Sequence, residues 1–126
     1  MVVSIHRGLG FLFLTLGLVM FFLAGLGSFG EPDGFDVHSA IGSGMTVIAL
    51  VLVILAAVGR REALPASGAL LLLMLVQTVL AVVGREGASI IGALHPVNAL
   101  LILFVAHQTA RGLTLPLGGP TVNAPR

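Results

Sequence analysis

Four histidines, His6, His38, His95 and His107, stand out among the side chains of this sequence that can ligate a metal. The chain has no cysteine, which excludes both a thiolate zinc site and a disulfide scaffold. It also lacks the nucleophile, base and acid set of a soluble hydrolase. Two of the histidines follow an internal repeat. Moved by 57 positions without a gap, Gly27 falls on Gly84, Gly30 on Gly87 and His38 on His95. Between Leu14–His38 and Leu71–His95, nine of 25 aligned residues are identical. Leucine matches carry little weight in such a composition, whereas a Gly, Gly, His series at one offset marks a duplicated unit.

The elements that position these residues are membrane spans. Of 126 residues, 57% are hydrophobic and 9% charged, while a soluble domain carries about a quarter charged residues. Six arginines against five acids exclude a nucleic-acid binder. A membrane helix takes about 20 mostly apolar residues, and four stretches qualify: Leu9–Phe29, Val37–Val58, Leu64–Val83 and Ser89–Ala110. The first is expected to be a retained helix, because no Ala-x-Ala-like cleavage site precedes the acidic loop. The links Gly30–Asp36, Gly59–Ala63 and Gly84–Ala88 are short. They predict an all-α, up-down-up-down four-helix bundle over residues 1–112, an internal repeat of two helical hairpins. Residues 113–126 have turn composition and are expected to form a disordered tail. Arg7, Arg60, Arg61, Arg111 and Arg126 fall on one side and Arg85 on the other. The positive-inside rule then places both termini in the cytoplasm.

Within this frame the paired histidines meet. An offset spanning two helices makes the repeats parallel, related by an axis along the membrane normal. The second and fourth helices become diagonal partners, with His38 and His95 near their outer starts. Small residues follow at the same offsets, Gly42 and Ala49 after His38, Ala99 and Ala106 after His95. Offsets of 4 and 11 return to nearly the same helix face. Diagonal helices lie roughly 12–14 Å apart, too far for two imidazoles to hydrogen-bond directly. They can ligate one metal centre between them, with a flat macrocycle in the space that the small residues leave: one b-type haem held by two histidines. Arg85, the only outer cation, is a candidate partner for its carboxylates. Gly and Ala also simply let membrane helices pack closely, and a histidine near the headgroups is often only a polar residue.

The repeat does not extend to the other two histidines, since His6 falls on Ala63 and His107 on Leu50. His107 also lies roughly 18 Å along the helix from His95 and about 120° around it. A second haem on His6 and His107 is therefore not expected. His107, Gln108 and Arg111 form a polar helix end suited to the helix dipole, and His6 with Arg7 is expected to be an interfacial anchor. Gln77 is expected to make an interhelical hydrogen bond. Pro96 disfavours helical geometry at His95 and predicts a kink or helix start there, with Asn98 placed to satisfy the backbone groups it frees.

The segments Phe35-Asp36-Val37-His38-Ser39-Ala40-Ile41-Gly42 and Ala93-Leu94-His95-Pro96-Val97-Asn98-Ala99-Leu100 resemble one four-helix half of haem A synthase. That family consists of two such halves with axial histidines at the outer ends of the second and fourth helices. The chain is also similar to a group of small bacterial four-helix membrane proteins that share Leu23-Ala24-Gly25-Leu26-Gly27, His38 and Leu94-His95-Pro96-Val97-Asn98-Ala99. The resemblance implies a haem-binding membrane scaffold with His38 and His95 as iron ligands. Phe35 stands three residues before His38, Glu31 lies seven before, and the synthase's loop cysteine pair is missing. What carries over is the scaffold rather than the oxidising chemistry.

The expected function is electron transfer or haem holding, since two axial histidines leave no open iron position. The partners expected are the bilayer, a redox partner or larger membrane complex, and a second copy of the chain. The alternative is a cofactor-free structural or assembly subunit, with Gly8, Gly10 and Gly17 as an outward contact stripe. Transport is disfavoured, because no Asp, Glu, Lys or Arg lies within the four spans.

Overall fold

A computed structural model describes residues 1–31 and 33–112. The chain is all-helical, with α1 (Val2–Ser28), α2 (Asp33–Gly59), α3 (Leu64–Arg85), a short α4 (Ser89–Gly92) and α5 (Leu94–Arg111). A 3-10 turn, Arg61–Ala63, leads into α3. Four helical segments are long and apolar enough to cross a membrane, with α4 and α5 together forming the fourth. The tail expected from residue 113 onward lies outside the described residues.

Local chemistry sets most of the ends. Pro65 stands in the first turn of α3, where its missing N–H costs nothing and its fixed φ suits a helix. Gly30 and Gly87 have φ of +104° and +107°, a region that residues with a Cβ avoid. Beside each, the chain closes its helix in the same way. Phe29 and Glu31 donate N–H to Gly25 and Leu26 carbonyls, and Glu86 and Ala88 donate to Val82 and Val83 carbonyls. The two turns are thus equivalent at the 57-residue offset.

Three boundaries differ from the sequence expectation, one of them the start of α2, at Asp33 rather than Val37. The first helix begins at Val2 rather than Leu9, because His6 is drawn into the bundle instead of ending the helix, while Ser4 and Arg7 stay exposed. The fourth span is broken at Ala93, and α5 restarts with His95 and Pro96 in its first turn. That is the helix start that the proline predicts. It also lets α4 press onto α3: a Cβ on Gly84 would lie 2.6 Å from Gly92 Cα.

α1 packs against α2 and α5, and α3 packs against the same two. α1 and α3 are therefore diagonal, as are α2 and α5. The core holds Phe13, Leu52 and Leu70, all fully buried, with Met45, Ala49, Met74, Ile102 and Ala106. The outside is equally apolar, with Leu18, Phe22, Val47, Leu72 and Leu100 more than half exposed. Only a lipid-facing surface accommodates such an exterior. Gly10 and Gly17, expected to face outward, are buried instead. A Cβ on Gly10 would lie 2.9 Å from Ala110 Cα and one on Gly17 2.6 Å from Leu103 Cδ2, so these glycines let α5 approach α1. Gly8 alone of the three is open.

Candidate cofactor site

His38 and His95 face each other inside the bundle, with ring centroids 6.2 Å apart and planes tilted by 43°. Diagonal helix axes are expected roughly 12–14 Å apart, and the side chains reach inward to close about half of that distance. Each ring is held the same way. His38 Nδ1 donates to the Met20 carbonyl at 3.0 Å, and His95 Nδ1 donates to the Gln77 carbonyl at 3.2 Å. Met20 and Gln77 are equivalent at the offset of 57, as are the two histidines. The duplication therefore extends to hydrogen bonds.

These bonds decide what the rings can do. A carbonyl only accepts, so Nδ1 carries the proton and Nε2 of a neutral ring keeps its lone pair. Neither Nε2 has a hydrogen-bond partner among the described residues. A metal-ligating histidine is typically anchored in this way through its other nitrogen. A metal–imidazole bond of about 2 Å, plus about 1 Å from nitrogen to ring centre, counted on both sides, separates two rings sharing a metal by about 6 Å. The observed spacing fits one ion between the rings.

A cleft opens around the pair, with about 950 Å³ of empty space including the part open to the outside. Its walls come largely from repeat partners, such as Gly17 with Met74, Ala24 with Ala81, Gly42 with Ala99 and Met45 with Ile102. Gly42 and Ala99, the small residues one turn after each histidine, line it, and so does Arg85. Ala49 and Ala106 do not: both are fully buried in the apolar core, two turns further down. Their small size serves helix packing. Gln77 makes its interhelical bond, accepting from Asn98 Nδ2 at 2.7 Å. Asn98 Nδ2 also donates to the Leu73 carbonyl at 2.9 Å, so Asn98 ties α5 to α3 and does not serve the groups near Pro96.

The other two histidines form no comparable pair. His6 is fully buried, contrary to an interfacial anchor. Its Nδ1 lies 3.4 Å from Arg60 Nη1 and its Nε2 3.1 Å from Ser67 Oγ. Arginine only donates, so Nδ1 accepts and Nε2–H donates to Ser67. Both nitrogens are occupied. Arg60 is itself 7% exposed and its Nε donates to Glu62 Oε1 at 3.0 Å. His107 is exposed. Among the described residues, no group of three or more His, Cys, Asp or Glu side chains is placed to hold a metal ion, so a metal at the His38–His95 pair would need ligands besides such side chains.

Two parts of the site escape the sequence reading: the carbonyls of Met20 and Gln77, and the side chains of Met45 and Met74 in the cleft wall. The carbonyls carry one sequence signal, an equal spacing of 18 residues to their histidines. Comparison with known families gives one match, over residues 20–85, to a family of unknown function (DUF6220). That is just over half of the chain. The chain belongs to this family. The matched segment runs from Met20, which holds His38, to Arg85 at the cleft. No curated protein and no solved structure matches the chain.

Proposed function

We propose that this member of the family is a multi-pass membrane protein holding one b-type haem between His38 and His95. The observation that carries this reading is the equivalent pair of imidazoles, each anchored through Nδ1, with ring centroids 6.2 Å apart. A macrocycle supplies the in-plane ligands that the protein lacks, which suits a site of only two histidines. Gly42 and Ala99 leave room for a flat ring beside the imidazoles, and Arg85 offers a cation to its carboxylates. When bound, such a group supplies one-electron chemistry. His38 and His95 would hold it from both faces, which favours electron transfer or haem holding over oxygen activation. The likeness to one half of haem A synthase belongs to this reading, as does an up-down-up-down topology in a bacterial inner membrane with cytoplasmic termini. A redox partner, a larger complex or a second copy would receive the electrons or the haem.

Absorption spectra test it. Protein purified from haem-replete cells is expected to be pigmented and to change its spectrum on reduction as a low-spin bis-histidine haem does. His38→Ala and His95→Ala are each expected to lose that signature. Colourless wild-type protein, or a spectrum unchanged in both variants, would falsify the assignment.

A further inference from the structure

The cleft is built from two copies of one hairpin, and a perfectly two-fold cleft accepts an asymmetric flat ligand equally well in two orientations. This cleft is not perfectly two-fold. His38 and His95 lie on the α2–α5 diagonal, so a flat ring held between them spreads its edges toward α1 and α3. At those edges stand the two residues whose carbonyls anchor the histidines, Met20 on α1 and Gln77 on α3, and both line the cleft. Their side chains have similar length and different chemistry, a thioether against an amide.

The amide is oriented. Gln77 Oε1 accepts from Asn98 Nδ2 at 2.7 Å, and Asn98 is fixed by its second bond to the Leu73 carbonyl. The Gln77 NH₂ group then has no acceptor among the described residues, and Gln77, half-buried, lines the cleft, where that donor is free to meet a ligand. The first repeat has no such device, because Ile41 stands where Asn98 would be. Arg85, also at the cleft, is one-sided too, with Ser28 at the equivalent position. Of the two edges, α1 lines the cleft with no side-chain donor, whereas α3 brings Gln77, Thr78 and Arg85; the unmatched hydroxyls Ser39 and Ser43 lie on α2, off both edges.

Resting on the haem reading above, we propose that Gln77, aimed by Asn98 and assisted by Arg85, is the positioning residue that turns the carboxylate-bearing edge of the macrocycle toward α3. The α1 edge, with Met20, takes the apolar substituents. One charge-assisted hydrogen bond from Gln77 is enough to favour one orientation by about tenfold.

Proton NMR of the oxidised, purified protein reads this directly, because the shifted ring-methyl signals double when two orientations coexist. Wild type is expected to give one dominant set. Gln77→Met, which installs the residue of the other repeat, is expected to give a second set approaching equal intensity with haem content retained. Arg85→Ser alters an exposed residue, leaves the core packing alone and is expected to raise the minor set as well. Pigmented Gln77→Met and Arg85→Ser proteins that both keep one set, or a wild type that already shows two equal sets, overturn the positioning role and leave the haem reading standing. Colourless wild-type protein overturns both.

Discussion

At the scale of single residues, the same side chain does opposite things at the two ends of the bundle, and hydrogen bonds decide which. His38 and His95 spend only Nδ1 on the protein and keep Nε2 free. His6 spends both nitrogens, on Arg60 and Ser67, in a fully buried position. His6→Ala is therefore expected to destabilise the protein by about 1–3 kcal/mol, since it leaves buried polar partners unpaired. The cleft spectrum should survive, which thermal melts and absorption of the same sample check together. Loss of pigment in that variant with the fold intact would point instead to a second ligand site. The sequence could not separate these roles, because His6 beside Arg7 near a span end looks like a headgroup anchor. Its burial follows from partners 54 and 61 residues away, which no local pattern reveals.

At the scale of elements, small residues have two uses that composition alone does not distinguish. Gly42 and Ala99 open the cleft, whereas Ala49 and Ala106, on nearly the same helix faces, fill the core. The helices and their order were legible, since apolar run length and short links dictate them. The break at Ala93 was foreshadowed by Pro96. The start of α1 and the inward turn of Gly10 and Gly17 were not, because the first depends on His6 reaching Arg60 and Ser67 and the second on the approach of α5. The glycines give a sharp contrast. A Cβ on Gly10 would meet Ala110 backbone at 2.9 Å, while one on Gly8 meets nothing within 4 Å. Gly10→Ala is expected to cost about 1–3 kcal/mol through forced separation of α1 and α5. Gly8→Ala should be neutral or slightly stabilising, as alanine is the better helix former. Denaturation midpoints of the two variants, measured in one detergent, check the difference; equal midpoints would contradict the packing of α1 on α5.

At the scale of the whole molecule, the duplicated hairpin creates a near-symmetric cleft and the charges give it a direction. Arg60 and Arg61 lie together between α2 and α3, with Arg7 and Arg111 at helix ends of the same side, while Arg85 stands near the cleft at the other. In the proposed orientation, which rests on the positive-inside rule, the cleft would open toward the outer face, and electrons or haem would exchange on that side. The cysteine-free sequence makes this testable with single thiols. Glu31→Cys and Glu86→Cys, in the two equivalent turns after Gly30 and before Gly87, should both react with a membrane-impermeant maleimide in intact cells. Arg61→Cys should react only after the membrane is opened. The two Glu positions must behave alike, because the repeat places them at the same end of a parallel pair of hairpins. Labelling of Glu31→Cys without Glu86→Cys would break the hairpin equivalence, and with it the geometry that brings His38 and His95 to one level.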